Sequence, residues 1–376
     1  MNYPAASAAG GAILAGTEAQ PSATIPAAQS VQRSMSGNRH QVQFHGNGGE
    51  FFRIWIVNLV LSILTLGIYS AWAKVRTNRY FYGNTEVAGS HFEYLAEPMQ
   101  ILKGRLVAVA LFALFGVAAE LMPELYLLLL VGFYLALPLI VVASLRFAMK
   151  MTAWRGIRFS HRGSVGSAYL TFLLLPLLIP FTLLLILPYL ALRQNQFVFN
   201  NLWFGRSCFK LNIGAGVFYK IYGIATLIFL LVGGGLGYMV ASNIAGVGEE
   251  AAAAWSADNM GWILGISYVL MSGLFTYVSA ASARAVINGL TIEKHGFDST
   301  ITTPALAWLY VSNLFLVVLT LGLAAPWAKV RMARYHAETT TLVADGSIDD
   351  FVAAQQSEIS SVGEGVSDIF EVDIAL

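Results

Sequence analysis

The chain has 376 residues, of which 57% are hydrophobic and only 11% are charged, with a formal net charge of +1. A typical soluble domain carries roughly 25% charged residues, so this composition excludes a water-soluble fold, which needs a charged surface. The single cysteine, Cys208, excludes an internal disulfide and a thiolate metal cluster. Hydrocarbon is the remaining solvent, and we expect an integral membrane protein.

The two ends of the chain differ from its middle in composition. The first forty or so residues are rich in Ala, Gly, Ser, Pro and Gln and bury too little apolar area to offset the entropy of ordering. All 22 Lys and Arg lie at or before Arg334, and the charged residues beyond it are acidic. We therefore expect a disordered leader (1–43), a multi-pass membrane domain (44–344) and an acidic disordered tail (345–376).

Seven apolar stretches approach the ~20 residues that a membrane-spanning helix needs. They are 51–73, 106–121, 125–145, 168–192, 217–241, 261–283 and 305–328. Their composition predicts an all-α polytopic membrane protein with about seven transmembrane segments. For three of these stretches the sequence leaves open whether they cross the membrane fully or are re-entrant: 51–73, 168–192 and 305–328.

Basic connections set the expected orientation. The connections 74–105 and 146–165 are rich in Lys and Arg, and the positive-inside rule places them in the cytoplasm. Seven simple crossings then put the N-terminus outside, but they also leave the basic residues of 193–220 outside. If the segments 168–192 and 305–328 were re-entrant, the later basic connections would lie inside, as the positive-inside rule requires. We favour seven crossings on the length of the segments alone.

The chain contains an internal duplication. Residues 58–80 match residues 313–335 without gaps, with 14 identities in 23 positions. The shared residues include Asn, Thr, Trp, Lys, Arg and Tyr, which chance similarity between apolar helices does not produce. An alternating polar and apolar pattern with a central Gly also recurs after several segments, at 85–94, 154–159 and 202–209. This pattern predicts β-hairpins, which we expect to meet in a small layer at the membrane surface.

Several motifs resemble a known family. Leu64-Thr-Leu-Gly-Ile-Tyr-Ser-Ala-Trp-Ala-Lys-Val-Arg76, Arg79-Tyr-Phe-Tyr-Gly-Asn-Thr85 and Trp154-Arg-Gly-Ile-Arg-Phe159 are similar to segments of the YjgN-like bacterial inner-membrane family. The resemblance covers roughly residues 42 to 345. It implies a multi-pass protein of the bacterial inner (plasma) membrane. Because the family is a domain of unknown function, it supplies no catalytic or binding residues.

The duplicated motif Trp-Ala-Lys-Val-Arg-x-x-Arg-Tyr places aromatic rings beside three basic side chains. Juxtamembrane Lys and Arg gain about 1 kcal/mol each near an anionic leaflet. We interpret these residues first as topology anchors. The alternative is a lipid-headgroup site that both copies build together. The candidates are Trp72, Lys74, Arg76, Arg79, Trp327, Lys329, Arg331 and Arg334.

Other polar and glycine motifs have structural interpretations. Asn58 and Asn313 occupy equivalent intramembrane positions, and we expect inter-helix hydrogen bonds from them, with substrate binding as the alternative. The loop 44–50 is Gly-rich and opens a helix, but it lacks the Lys-Ser/Thr of a phosphate-binding loop, so we expect helix capping. The Gly-x-x-x-Gly spacings at 233–237 and 261–265 predict that two successive helices pack together.

The sequence shows no nucleophile–base arrangement, metal-ligand spacing or paired carboxylates. We therefore expect no enzymatic activity, no cofactor, no metal and no nucleic-acid partner. Membrane lipids are the expected partners, and a homo-oligomer is left open. Transport or permeation along the hydroxyls of the 261–283 segment, such as Ser272 and Thr276, and lipid-headgroup handling are the leading hypotheses. The alternative is a scaffold that recruits partners through basic loops and the acidic tail.

Overall fold

The computed structural model describes residues 37–357, which are mostly helical. Ten helices form five helix–turn–helix hairpins, named A to E in chain order, each made of two successive helices. The helices are α1 Gly48–Leu64, α2 Ser70–Gly83, α3 Pro98–Leu121, α4 Pro123–Lys150, α5 Val165–Leu177, α6 Leu187–Phe199, α7 Ala215–Ile244, α8 Glu249–Gly289, α9 Thr303–Leu319 and α10 Ala325–Glu338.

Eleven short strands of the described chain lie at the base of these hairpins, because every hairpin begins and ends next to a strand. Two strands precede hairpin A, two follow each of hairpins A to D, and one follows hairpin E. They are β1 Asn38–Gln41, β2 Gln43–Phe44, β3 Thr85–Val87, β4 Ser90–Tyr94, β5 Thr152–Trp154, β6 Ile157–His161, β7 Leu202–Phe204, β8 Ser207–Leu211, β9 Leu290–Ile292, β10 His295–Ser299 and β11 Thr340–Ala344.

The strands form one antiparallel sheet that closes on itself. Its order is β1-β11-β10-β9-β8-β7-β6-β5-β4-β3-β2. The two strands at its ends, β1 and β2, are separated in the chain by Val42 alone, whose N–H donates to the Thr340 carbonyl at 2.9 Å. One extended segment therefore pairs with β11 through its first half and with β3 through its second half. The result is a ring of strands, larger than the small β-layer that we expected.

The hairpins follow the same ring. Neighbours contact each other in chain order, α2 with α3, α4 with α5, α6 with α7 and α8 with α9, and α10 contacts α1. The first and last hairpins, which carry the internal duplication, are therefore adjacent.

The same hydrogen bond recurs in several repeating units, each made of one hairpin and the strands that follow it. Arg79 donates to the Ala96 carbonyl at 3.3 Å, and Arg146 donates to the Gly163 carbonyl at 2.9 Å, in each case just beyond the second strand of the same unit. Arg334 makes the equivalent bond at 3.0 Å, but to Gly46 at the other end of the chain. The N-terminal segment thus replaces the second strand that the fifth unit lacks.

Four helices of the described region are long and apolar enough to cross a membrane: α3, α4, α7 and α8. The prediction of seven crossings is not confirmed, because 51–73, 168–192 and 305–328 are each broken into two short helices that fold back as hairpins A, C and E. Helix α1, with 17 residues, is about 25 Å long at 1.5 Å per residue. This is shorter than the ~30 Å hydrocarbon core.

The repeated Thr-Leu-Gly motif ends the first helix of hairpins A and E. Leu66 and Gly67 have φ values of 49° and 90°, and Leu321 and Gly322 have 50° and 91°. This left-handed conformation terminates a helix. The Thr65 hydroxyl then accepts the Tyr69 N–H at 2.9 Å, which starts the returning helix. In hairpin C the break instead includes positive φ at Leu183 and Leu184, and Pro188 lies in the first turn of α6.

The basic and acidic residues lie at opposite ends of the long hairpins. The Lys and Arg residues of the described chain lie in the sheet, in the short hairpins, or near the sheet ends of the long helices. The opposite turns of hairpins B and D carry Glu120, Glu124, Glu249 and Glu250. The positive-inside rule therefore places the sheet and both ends of the described chain in the cytoplasm. Seven simple crossings would instead put the N-terminus outside.

The interior of the ring is apolar, and a further helix, 348–357, closes it. Ile348 and Val352 are buried against the ring. Gln355 donates to the Ser207 hydroxyl and accepts the Arg206 N–H, both at 2.8 Å. This differs from the disordered tail expected for 345–376, because apolar residues spaced along one face give the segment something to bury. Likewise 38–44 is paired strand within the expected leader. Residues 1–36 and 358–376 lie outside the described residues.

Cysteine labelling distinguishes this topology from seven crossings. In a Cys208→Ser background, we expect Glu250→Cys to react with a membrane-impermeant maleimide in intact spheroplasts, and Lys210→Cys to react only after lysis. Seven crossings predict the opposite result at both positions, so a reversed pattern would overturn the arrangement. Total labelling after detergent solubilisation serves as the control for expression.

Acid should destabilise the ring through His295, which is buried beside Phe351 of the closing helix, with ring centroids 4.9 Å apart. Burial lowers the pKa of His295 below its ordinary value of 6.5, against opposing effects of Glu293 and Asp345. The unfolded chain therefore binds the proton first, and the free energy of unfolding falls as the pH drops below about 6.5. We expect a lower melting temperature at pH 5.5 than at pH 7.5.

The His295→Phe variant tests the assignment, since a phenyl ring suits the apolar surroundings. We expect this variant to lose part of the acid sensitivity. His161 and His336, whose pKa values burial also lowers, account for the remainder. An unchanged difference between the two melting temperatures would show that His295 does not contribute.

Candidate functional site

A groove of about 410 Å³ is lined by both helices of hairpin A and by Lys329 of hairpin E. We call it the A–E groove. The Phe52 ring packs on the Trp327 ring with centroids 5.0 Å apart, which joins the two hairpins beside it. The groove is lined by Trp55, Asn58, Leu59, Ser62, Ser70, Ala73, Lys74, Thr77, Asn78 and Lys329.

Equivalent lysines from the two copies of the duplication meet in this groove. Lys74 of hairpin A and Lys329 of hairpin E are both exposed and both line it. Arg105 of α3 adds a third cation at the rim, where its guanidinium donates to the Ser70 hydroxyl. None of the ten described lining residues is acidic. The groove therefore presents positive charge together with hydroxyl and amide groups.

The duplicated asparagines make one common hydrogen bond. Asn58 Nδ2 donates to the Ala73 carbonyl at 3.4 Å, and Asn313 Nδ2 donates to the Ala328 carbonyl at 3.3 Å. Each bond ties the first helix of its hairpin to the second. The side chains are 5% and 8% exposed. Each asparagine therefore bonds between two helices of its own hairpin and not to the other asparagine.

The two asparagines differ at the other end of the amide. Arg331 Nη1 donates to Asn313 Oδ1 at 2.8 Å, and its Nη2 donates to the Ser312 hydroxyl at 3.1 Å. Asn58 Oδ1 is buried and has no hydrogen-bond partner among the described residues. The position equivalent to Ser312 is Val57, which offers no second acceptor to hold the equivalent Arg76, and Arg76 is exposed.

The depth of the groove follows from helix geometry. The hairpin tips are strongly apolar, with Leu66 and Leu321 exposed by 95% and 94%, so they enter hydrocarbon. Asn58 lies six residues before the end of α1 at Leu64, which is about 9 Å below the tip at 1.5 Å per residue. The A–E groove therefore lies below the hairpin tips, on the side of the sheet.

The other predicted anchor residues have structural contacts. Trp72 stacks on Tyr69 with centroids 6.1 Å apart. Arg79 and Arg334 bind the backbone carbonyls described above. Trp327 packs against Gly48, where a Cβ atom would lie 2.3 Å from the indole Cδ1. The structure therefore brings Lys74, Lys329 and Asn58 together and assigns most of the remaining candidates to packing. Sequence analysis missed Ser62, Ser70, Thr77 and Asn78, because only the folding back of α2 on α1 brings them to the groove.

The Gly-rich loop before α1 is a helix cap. Asn47 Oδ1 accepts the Gly49 N–H at 2.7 Å. The Tyr80 hydroxyl donates to the Asn47 carbonyl and accepts the Asn47 N–H, at 2.9 and 2.7 Å. The equivalent Tyr335 makes the same pair of contacts with Thr302. The duplicated tyrosines thus fix the start of the first helix in both copies.

The candidate transport hydroxyls bond to their own helix. Thr276 donates to the Ser272 carbonyl at 2.7 Å, and Ser272 donates to the Val269 carbonyl at 3.0 Å. Helices α7 and α8 pack as a hairpin, as the Gly-x-x-x-Gly spacing predicted. The glycines are not all at the contact: Gly233 lies 3.5 Å from Leu270, measured from an ideal Cβ, whereas Gly237, Gly261 and Gly265 face open space.

Replacement of Arg331 tests the asymmetry between the copies. Arg331→Met would leave Asn313 Oδ1 buried without a donor, which costs about 1–3 kcal/mol. We expect this variant to lower the melting temperature of the detergent-solubilised protein. The matched variant Arg76→Met should leave it within experimental error, because Asn58 does not depend on Arg76. Equal effects of the two substitutions would contradict the asymmetry.

Comparisons with known proteins identify the family of the chain. The family described as "Bacterial protein of unknown function (DUF898)" matches residues 39–369. "Inner membrane protein YjgN" of Salmonella typhimurium is 23% identical over 366 residues, covering 84% of this chain and 91% of that protein. The proteins of the same name from Escherichia coli (strain K12) and Escherichia coli O157:H7 are 36% and 34% identical, and each alignment covers 39% of this chain and 37% of the relative. No solved structure matches the chain.

These matches confirm the resemblance to YjgN-like proteins and the location in the inner membrane, which the apolar helices also support. The family match covers most of the chain and includes all five hairpins. This chain is a multi-pass inner-membrane protein that belongs to the bacterial family of unknown function DUF898.

Proposed function

We propose that this protein binds anionic phospholipid headgroups of the cytoplasmic leaflet in the A–E groove and does so without enzymatic chemistry. The observation that carries the proposal is the meeting of Lys74 and Lys329 in a groove without a carboxylate among its described lining residues. Each basic side chain near an anionic leaflet gains about 1 kcal/mol. Two lysines around one phosphate also restrict its position, which a single anchor does not.

The half-depth hairpins explain why a lipid would enter the groove. Lipid tails surround the exposed apolar residues of the tips, and Leu59 and Trp55 line the groove next to the lysines. A phospholipid bound here would keep its tails against the hairpins and place its phosphate between the two ammonium groups. Tryptophan favours this interfacial depth.

The other hypotheses have less support from the contacts. Transport along α8 would need hydroxyls available to a substrate, and Ser272 and Thr276 already donate to their own helix. A scaffold that recruits partners through its tail would need the tail to be available, and of that tail the described residues 348–357 are packed in the ring. Headgroup binding uses side chains that face the groove.

Native mass spectrometry tests the proposal. We expect the wild-type protein, extracted in mild detergent, to retain anionic phospholipid. The double variant Lys74→Gln/Lys329→Gln should bind it with about 30-fold lower affinity, because about 2 kcal/mol of attraction is removed.

The matched control is Lys210→Gln/Lys294→Gln, which changes the net charge equally at two sites of the sheet away from the groove. Bound lipid that is lost equally from both double variants would indicate general charge attraction and contradict a site. Equal retention by all three proteins would also contradict it.

A further inference from the structure

We infer that the A–E groove selects a phosphodiester headgroup that ends in a hydroxyl, of the glycerol type, and that Asn58 Oδ1 accepts the hydrogen bond from that hydroxyl. The inference rests on the proposed function and adds the headgroup chemistry to it. Asn58 lines the groove, is 5% exposed, and its Oδ1 has no partner among the described residues.

The orientation of the Asn58 amide is fixed by the duplication. In both copies Nδ2 donates to the backbone carbonyl fifteen residues later. The oxygen therefore points away from that carbonyl in both. In hairpin E the oxygen receives the Arg331 guanidinium at 2.8 Å. Hairpin A presents the same acceptor without a donor among the described residues, and Asn58 lines the groove.

A buried carbonyl oxygen without a donor is costly, and native structures pair nearly all such groups. The occupant that pairs Asn58 must carry an O–H or N–H group. It must also tolerate Lys74 and Lys329 in the same groove. A headgroup ammonium would be repelled by these two cations, whereas a hydroxyl next to an anionic phosphate is attracted as a whole.

Two lipids that differ by this hydroxyl give the first test. Phosphatidylglycerol and phosphatidylethanol carry the same phosphodiester charge, but phosphatidylethanol has no headgroup hydroxyl. Wild-type protein is delipidated and given an equimolar mixture of the two lipids with distinguishable acyl masses, and bound lipid is measured by native mass spectrometry. We expect a preference of about three- to tenfold for phosphatidylglycerol, the range of one hydrogen bond.

Matched substitutions at the duplicated asparagines give the second test. Asn58→Leu keeps the size of the side chain and removes the acceptor, so we expect the preference to fall to about one. Asn313→Leu removes an oxygen that Arg331 already occupies, and we expect the wild-type preference to remain. Because the preference is a ratio within one sample, a partial loss of folded protein does not change it.

The outcomes separate the inference from the proposed function. Equal binding of the two lipids by wild type, with loss of both in Lys74→Gln/Lys329→Gln, would overturn the hydroxyl assignment and leave headgroup binding standing. An unchanged preference in Asn58→Leu would also overturn it. Displacement of phosphatidylglycerol by an equal concentration of soluble glycerol 1-phosphate would show that the ligand is not a lipid, and it too would overturn the inference.

Discussion

The closing of the sheet by residues 38–44 is the constraint on which the rest of the structure depends. A single extended segment supplies hydrogen bonds to β11 on one side and to β3 on the other. Edge strands left open would expose unpaired N–H and C=O groups. Because this segment joins the first unit to the last, it also brings the duplicated hairpins A and E into contact, which adds Lys329 to the groove that hairpin A lines.

Helix length is the second determinant, and it is encoded locally. Thr65-Leu66-Gly67 and its copy stop a helix in the left-handed conformation, so that polar and basic residues of the returning helix stay near the cytoplasmic surface. Had α1 and α9 continued straight across the membrane, Lys74 would lie at the membrane face opposite Asn58, and Lys329 at the face opposite Asn313. The same motif therefore fixes both the depth of hairpins A and E and the composition of the groove.

The sequence predicted the membrane class, the duplication and the β-hairpins, and it singled out Asn58, Lys74 and Lys329 among the residues that line the groove. It did not predict which apolar stretches cross the membrane and which fold back, because length and hydropathy are the same for a spanning helix and for a hairpin of half depth. Two features of the sequence indicated the hairpins: the Thr-Leu-Gly motif that ends a helix, and the basic residues of 193–220, which seven crossings would leave outside. It also missed that Arg331 binds Asn313 while Asn58 has no equivalent donor. This difference depends on the residue before each asparagine, which is Ser312 in hairpin E and Val57 in hairpin A. Contacts between ends of the chain, such as Arg334 with Gly46, have no local signature.

The hairpins of residues 37–357 alternate in reach around the ring: A, C and E are short, and B and D are long. Two heights alternate perfectly around a ring only when the number of members is even, and here it is five. One pair of like neighbours is therefore unavoidable, and it falls between A and E. Above this pair the described residues leave a notch two hairpins wide. The odd number of hairpins thus places this notch on the side of the molecule that carries the A–E groove.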